Sequence, residues 1–286
     1  MFDDIYKDTE FRKLPNYGRK AGEHFAPHSR MGRQYPRFVE WGYHTEDSYQ
    51  KVMRKYSQLI YGVDYSIGMV LEELERLGIE DNTVILFSSD NGYFCGSHGL
   101  GSKVLPYEEG ARVPLIIYDP RHPKSGAMRR AGALSGNVDI AATILELAGV
   151  AVPDSYDGKS LMPVVHDEKN TVRDTLPVIQ VWGPEATRCL SVIKDDHKYI
   201  YWYYENDEQN LKATEELYDL KNDPYELKNV AGEPDYQAVL DRMRKAYDSQ
   251  VEHWKDQCVK YNGYPEYGTL FDRSMPWDVK AGLLKK

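Results

Sequence analysis

A short stretch of the sequence combines side chains that bind hard cations with side chains that bind anions. Asp90 and Asn91 stand together, and His98 and Lys103 follow within the next twelve positions. A carboxylate and an amide carbonyl oxygen are ligands that suit Ca²⁺ or Mg²⁺. An ammonium group can anchor an anionic oxygen, and an imidazole can bond such an oxygen or protonate a leaving group. These residues predict a site for a divalent cation and an anionic ester.

The same residues also have ordinary structural interpretations. Asp-Asn-Gly after a strand is common turn chemistry, a loop histidine often bonds the backbone, and a loop lysine is usually solvated. Calcium takes about six to eight oxygen ligands, so Asp90 and Asn91 need further ligands from elsewhere. Glu108, Glu109 and Arg112 are interpreted as structural, in a helical turn and an ion pair that position the following segment.

Two apolar runs flank the stretch and predict the strands that position it. Residues 84–87 and 113–118 are short, apolar and bounded by polar residues, which is typical of strands buried on both faces, as in a parallel sheet. Ligands of open α/β sheets gather beyond the carboxyl ends of strands, where Asp90 and Asn91 stand.

Two helices are predicted on either side of these strands. Apolar residues recur at steps of three and four from about Thr45, a plausible N-cap, to Leu77, with Gly78 as the terminating residue. A second helix is predicted over 138–150. Helix, strand, loop, strand and helix together predict an α/β sheet flanked by helices.

The last third of the chain has a different pattern. Alternating runs predict three strands, which a long amphipathic helix follows. Three segments have no clear period and are predicted to be irregular: residues 1–45, the connector 151–186 and the tail from about residue 259. We therefore predict an α/β domain over 1–186 and a small antiparallel α+β subdomain over 187–286.

Composition narrows the class of protein. The chain has 286 residues and a net charge of -9, which argues against a nucleic-acid partner because phosphate binding needs a basic field. No run approaches the ~20 apolar residues that span a bilayer, and the first residues lack the pattern of a signal peptide, so no membrane partner is expected and the compartment is left open. Cys95, Cys189 and Cys258 are too few for a disulfide framework or a zinc site, although Cys95 could line the candidate pocket.

Several motifs occur in an order that is specific in combination: Ser89-Asp90-Asn91-Gly92, Gly96-Ser97-His98-Gly99, Lys103, YEEGARVPL at 107–115, VDIAAT at 138–143, and LYDL at 217–220 with Asp223-Pro224-Tyr225-Glu226. This order resembles the sulfatase family of the alkaline-phosphatase superfamily over roughly residues 45–255. The resemblance implies a sulfatase-like sheet flanked by helices, incomplete at its N-terminus.

The resemblance also implies roles for individual residues. Asp90 and Asn91 would bind a divalent cation, usually Ca²⁺ with Mg²⁺ as the alternative, Lys103 would bind a sulfate oxygen, and His98 would line the same pocket. The reaction would be hydrolysis of a sulfuric ester on an aryl or carbohydrate substrate, with metal and cationic side chains stabilising the developing charge.

Other motifs of the family are missing from the sequence. The formylglycine nucleophile is made from Cys or Ser in Cys/Ser-x-Pro-x-Arg, and none of the three cysteines begins such a motif. Ser274-Met275-Pro276 has the proline without the arginine, the N-terminal pair of Asp metal ligands is absent, and Pro27-His28 lacks a preceding strand. We therefore expect the C-terminal part of a sulfatase, either truncated or encoded by a split gene, which is inactive alone. Its expected partners are a sulfated small molecule or glycan and, for a split gene, a separately encoded N-terminal sulfatase segment.

Two alternatives remain open at this point. A phosphodiesterase or phosphonate-ester hydrolase of the same superfamily would share the metal loop, and the nucleophile motif would discriminate it from a sulfatase. A non-catalytic, carbohydrate-binding remnant would keep the fold without any complementing segment.

Overall fold

The computed structural model describes residues 2–285, which form two compact units from interleaved segments. Among the described residues, the first unit contains 2–13, 45–90 and 113–174, and the second contains 14–44, 91–112 and 175–285. The mixed α/β architecture predicted from the sequence is confirmed. The domain boundary after residue 186 stays a prediction.

The described residues contain eight α-helices and eight strands. The helices are α1 (Gln34–Glu40), α2 (Glu46–Leu77), α3 (Glu108–Ala111), α4 (Val138–Leu147), α5 (Met162–His166), α6 (Gln237–Gln257), α7 (Tyr264–Leu270) and α8 (Trp277–Leu284). The strands are β1 (Ile85–Ser88), β2 (Phe94–Cys95), β3 (Gly101–Ser102), β4 (Leu115–Tyr118), β5 (Leu176–Gln180), β6 (Cys189–Lys194), β7 (His197–Trp202) and β8 (Thr214–Asp219).

The long helix α2 dominates the first unit and begins and ends where the sequence predicts. The Thr45 hydroxyl accepts a hydrogen bond from Ser48 N at 3.3 Å, and Glu46 and Asp47 lie in the first turn, where negative charge is favourable. The helix ends at Gly78, which adopts the left-handed conformation with φ 65°. Both signals were readable because they depend only on local sequence.

We expect Thr45→Ala to lower the free energy of unfolding by about 1 kcal/mol, because the first turn of α2 loses the acceptor for a backbone N–H. Urea unfolding measures the effect. Thr45→Ser is the matched control, since it keeps the acceptor and should change stability by less than about 0.5 kcal/mol. Equal losses in the two variants would contradict the capping role.

The two strands of the first unit correct a prediction. β1 and β4 pair antiparallel, with Ile85 opposite Tyr118 and Ser88 opposite Leu115. Every residue of β1 is only half-buried, and Ile116 and Tyr118 in β4 are 58% and 42% exposed. The prediction of strands buried on both faces of a parallel sheet is therefore wrong for this pair. The apolar runs predict that these segments are strands, but they do not determine the direction of pairing or how far other segments bury them.

Apolar side chains are also exposed along α2. Leu59 is 72% exposed, and Met69 and Val70 are each 57% exposed. Large exposed apolar surfaces commonly mark sites where another chain or ligand binds. Among residues 2–285 no helix combines the length and apolar character needed to cross a bilayer.

The second unit is built on a four-stranded antiparallel sheet in the order β5-β6-β7-β8. β6 and β7 are joined by Asp195 and Asp196, which have φ angles of 49° and 59°. Two successive positive φ values define the tight hairpin turn that matches the twist of the flanking strands. The predicted antiparallel strands and their polar turn are confirmed: β6 has the predicted bounds, and those of β7 and β8 are shifted by one or two residues.

Both outer strands of this sheet have features that limit further pairing. β5 carries Pro177, which has no N–H to donate. Along β8, Leu217 N donates to Asn229 Oδ1 at 3.0 Å, and Leu217 O accepts from Val230 N at 2.9 Å. The segment after β8 therefore occupies part of its outer edge.

The apolar face of α6 packs against this sheet and forms the main core of the second unit. Leu240, Met243, Tyr247 and Val251 are buried at helical spacing, together with residues of β6 and β7. Tyr247 satisfies its hydroxyl by donating to Phe271 O at 2.7 Å. The prediction of a long amphipathic helix is confirmed because this stripe is long and regular.

Three segments predicted to be irregular contain short elements. The tail contains α7 and α8, residues 1–45 contain α1, and residues 151–186 contain α5 and β5. Such short helices carry little periodic signal and depend on tertiary packing. Trp254 Nε1, for example, donates to Tyr264 O at 2.8 Å where α7 begins.

Candidate functional site

The loop that carries His98 and Lys103 lies in the second unit as a small, tightly packed hairpin. β2 and β3 pair Phe94 with Ser102 and Cys95 with Gly101. Gly96 has φ 93°, and a Cβ atom there would stand 2.7 Å from the Tyr17 ring. Glycine is therefore required at this position both by its conformation and by the close approach of the ring.

Lys103 lies in a strained and well-anchored part of this loop. The residues on both sides, Ser102 and Val104, have φ angles of 76° and 95°, which are costly for any residue and most of all for a β-branched one. Gln34 of α1 donates to Lys103 O at 2.7 Å, and Arg37 donates to the Ser102 hydroxyl at 2.9 Å. Backbone strain of this kind is typical of functional sites, which is consistent with the predicted role of Lys103.

The predicted metal ligands are adjacent in the sequence, and each has a hydrogen bond that fixes part of it. Asp90 is exposed at the end of the segment that contains β1, and its carbonyl oxygen accepts from Asn137 Nδ2 at 3.2 Å. Asn91 Nδ2 donates to Gly92 O at 2.8 Å, so the backbone holds the donor end of its amide. The donor chemistry of a carboxylate and an amide oxygen fits a hard cation. Their joint role with Lys103 stays a prediction.

His98 is fully buried in the second unit, rather than facing solvent. Its Nδ1 lies 3.3 Å from Ala21 O, and its Nε2 lies 3.0 Å from Asn16 Nδ2. Burial lowers the pKa of His98 to about 3, so the imidazole is neutral at physiological pH. These contacts favour a role in holding the loop.

Next to His98 lies a buried ionic cluster that sequence reasoning missed. Lys198 Nζ lies 2.7 Å from Glu108 Oε1 and 2.9 Å from Glu226 Oε1. Glu226 also accepts from Glu108 N at 2.7 Å. Burial raises the pKa of Glu226 to about 7, against the opposing influence of Lys198. The cluster joins the predicted loop to the sheet and to the turn after β8.

Glu109 completes this region. Its carboxylate accepts a hydrogen bond from Asn16 Nδ2, and its Oε2 lies 3.7 Å from His98 Nε2. Burial raises the pKa of Glu109. His98, Glu109 and Glu226 each offer a ligand atom, and these atoms lie within 4.8 Å of one another.

A separate buried carboxylate belongs to Glu216 in β8. It accepts hydrogen bonds from Ala26 N and, at 3.1 Å, from the Tyr107 hydroxyl. Burial raises the pKa of Glu216 to about 7. Phe25 stacks on Tyr107 with ring centroids 3.7 Å apart, so this carboxylate lies among aromatic side chains that it helps to fix.

Cys95 lies on β2 but shows no sign of an activated thiol. Burial raises its pKa to about 11, so the thiol is protonated at neutral pH. The thiolate is the reactive form, and the geometry therefore favours a packing role.

Two family models match the chain. The model described as N-sulphoglucosamine sulphohydrolase, C-terminal, matches residues 96–253, and the model described as Sulfatase matches residues 21–150. The first match alone covers more than half of the chain. The chain belongs to the sulfatase family, as the order of its motifs predicted.

Curated relatives agree with this assignment. The N-acetylglucosamine-6-O-sulfatase of Bacteroides thetaiotaomicron is 36% identical over 214 residues, which cover 73% of this chain and 37% of that protein. The choline-sulfatase of Rhizobium meliloti is 32% identical over 262 residues, which cover 88% of this chain and 47% of that protein. The chain thus spans less than half the length of these relatives.

Solved structures show the same partial correspondence. A protein in complex with its substrate D-glucosamine-2-N,6-O-disulfate superposes with a TM-score of 0.66 at 34% identity, over 76% of this chain and 44% of that one. The phosphonate monoester hydrolase of Agrobacterium radiobacter superposes with a TM-score of 0.62 at 27% identity, over 75% of this chain and 43% of that one.

Proposed function

We propose that this chain is the C-terminal portion of a sulfatase that hydrolyses sulfuric esters of sugars. The observation that carries the proposal is the ordered set of motifs around Asp90, Asn91 and Lys103, together with a family match that includes this loop. A relative named N-acetylglucosamine-6-O-sulfatase and a structural neighbour bound to a glucosamine disulfate support a sulfated amino sugar as substrate.

Asp90 and Asn91 would hold Ca²⁺ in this proposal, with Mg²⁺ as the alternative. A carboxylate and an amide oxygen supply two of the six or more ligands that calcium takes, so about four must come from other groups. The bound cation would stabilise negative charge on the sulfate as the ester bond breaks. Lys103 would bind a sulfate oxygen, and His98, neutral and held by Asn16 and Ala21, would fix the loop that presents it.

We further propose that turnover requires a sulfatase segment that supplies the nucleophile, whether it belongs to the same polypeptide or to another. The sequence has no Cys/Ser-x-Pro-x-Arg motif, and the first unit exposes apolar side chains on α2 and β4. A polypeptide that pairs with β1 or β4 and packs on α2 would bury this surface and gain about 25 cal/mol per Å² of apolar area. The exposed apolar surface of α2 and β4 and the missing nucleophile motif thus both support the need for a further segment.

Sulfate release from N-acetylglucosamine-6-sulfate and from 4-nitrophenyl sulfate tests the proposal. We expect no turnover by the chain alone, and turnover after coexpression with a sulfatase segment that carries the nucleophile motif. In that complex Lys103→Ala should lower kcat/KM about a hundredfold, as for the loss of one group that stabilises transition-state charge. Lys20→Ala, at an exposed position, is the matched control.

Several outcomes would contradict the proposal. Enzyme-like turnover by residues 1–286 alone would remove the need for a further segment. An unchanged kcat/KM in Lys103→Ala would remove that residue from the site. Faster turnover of a phosphonate monoester than of any sulfate ester would favour the second candidate function, phosphonate-ester hydrolysis, which the Agrobacterium radiobacter structure supports. Binding of sulfated glycans without turnover in the complex would favour a carbohydrate-binding remnant.

A further inference from the structure

The buried group formed by His98, Glu109 and Glu226 has the composition of a metal site distinct from Asp90 and Asn91. Their ligand atoms lie within 4.8 Å of one another. All three residues belong to the second unit, on the loop that follows β2, on α3 and on the turn after β8. An imidazole nitrogen with two carboxylates is a donor set that suits borderline divalent metals such as Zn²⁺.

The hydrogen bonds of His98 determine which nitrogen faces this group. Nδ1 points to Ala21 O, a carbonyl oxygen that can only accept, so Nδ1 carries the proton. Nε2 therefore presents its lone pair to Asn16 Nδ2 and to Glu109 Oε2, which lies 3.7 Å away. The lone pair of His98 Nε2 and the negative charge of an ionised Glu109 Oε2 repel each other. A cation between the two atoms would bond to both and remove this repulsion.

Two buried polar atoms of the residues in and beside this group lack hydrogen-bond partners among the described residues. They are Glu109 Oε2 and Asn16 Oδ1, both of which are buried. Asn16 is fully buried, and its amide nitrogen contacts both His98 and Glu109. An unpaired buried polar atom costs about 1–3 kcal/mol, so the site favours a ligand that uses these oxygens. Rotation of the Asn16 amide would turn Oδ1 toward the same point and supply a fourth donor.

The net negative charge of the buried group also favours a bound cation. Glu108, Glu109 and Glu226 provide three carboxylates, whereas Lys198 provides a single ammonium group and bonds Glu108 and Glu226. With His98 neutral, the ionised cluster carries two uncompensated negative charges. Buried charges require compensation, and one divalent cation would neutralise the cluster.

We propose that His98 Nε2, Glu109 Oε2 and a Glu226 oxygen bind one Zn²⁺, with Asn16 Oδ1 as the fourth ligand. Bonds of about 2.0–2.2 Å place tetrahedral ligands roughly 3.4 Å apart, so ligand atoms within 4.8 Å need only a small contraction. The ion would connect the segment that contains Asn16, the loop that contains His98 and Lys103, and the turn after β8. Its role would be structural, since four protein ligands close the coordination sphere.

Zn²⁺ titration of the purified full chain, followed by calorimetry and by the melting temperature, tests the proposal. We expect one ion per chain and a melting temperature that rises with Zn²⁺. Glu109→Gln is the most informative variant. Its new amide N–H would replace Oε2 and donate to His98 Nε2, so the metal-free protein should keep its fold while Zn²⁺ affinity falls at least about tenfold. His98→Ala should lower the affinity by at least as much.

The controls separate this site from the predicted calcium site. Glu23→Gln and His44→Ala change exposed residues of the same types and should leave Zn²⁺ affinity unchanged. Asp90→Asn should also leave it unchanged, so failure of the sulfatase proposal would not affect this result. Near-UV circular dichroism verifies that each variant is folded.

Three results would overturn the proposal. One is the absence of saturable Zn²⁺ binding by the wild-type chain. Another is binding that a folded Glu109→Gln variant retains in full. The third is binding that Asp90→Asn removes while Glu109→Gln does not, which would assign the ion to the other site.

Discussion

Lys198→Met is expected to lower the free energy of unfolding at pH 8 by about 3–5 kcal/mol. The lysine is fully buried, and its ammonium group lies within 3 Å of carboxylate oxygens of Glu108 and Glu226. Methionine fills a similar volume, so the loss arises from the two carboxylates that remain buried without their cation. Urea unfolding measures the change.

The pH dependence of this loss tests its electrostatic origin. Since burial raises the pKa of Glu226 to about 7, this carboxyl group binds a proton on moderate acidification, and the loss should be smaller at pH 5.5 than at pH 8. Adding Glu226→Gln to Lys198→Met should recover part of the stability. Lys212→Met removes an exposed ion pair with Asp207 and should cost far less stability than Lys198→Met. A loss of the same size in Lys198→Met and Lys212→Met would refute the assigned role.

Glu216→Gln should reduce the dependence of stability on pH by about 2–3 kcal/mol between pH 5 and pH 8. The folded pKa of about 7 lies above the ordinary value of 4.5. Between these values the folded state therefore binds more protons than the unfolded state, and wild-type stability falls as pH rises. Glutamine cannot ionise, so the variant lacks this contribution while it still accepts a bond from Ala26 N.

Chemical unfolding of both proteins at several pH values measures the difference. Other buried carboxyl groups, including Glu226 and Glu109, contribute in both proteins and cancel in the comparison. Glu23→Gln provides the control for an exposed carboxylate and should leave the pH dependence unchanged. If the free energy of unfolding changed with pH by the same amount in Glu216→Gln and in the wild type, the prediction that folding raises the pKa of Glu216 would be wrong.

The parts of the fold predicted from the sequence are those with local signals. Thr45, the apolar stripe of α2 and Gly78 define that helix without tertiary information. The helices of the tail were missed because α7 and α8 have seven and eight residues and depend on contacts with the rest of the second unit.

The candidate site was predictable only in part for the same physical reason. Lys103 and Asn91 stand in one short loop, so their order in the sequence carries the signal. The contacts of His98 join residues separated by 77 and 82 positions, and the Lys198 cluster joins Glu108 to Glu226 across 118 positions. A lone glutamate or lysine in a sequence gives no sign that it will be buried with an opposite charge. The sequence therefore predicts only a helical turn and an ion pair for Glu108 and Glu109, and indicates Glu226 only as part of a family motif.

The edges of the four-stranded sheet have a consequence for self-association. Strand addition needs a row of accessible N–H and C=O groups, and exposed edges are the usual starting points for fibrils and domain swapping. In the second unit, Pro177 interrupts one such row, and Asn229 and Val230 occupy part of the other. Oligomers that grow by adding strands should therefore start from β1 and β4, and hydrogen exchange during aggregation should show these segments protected first.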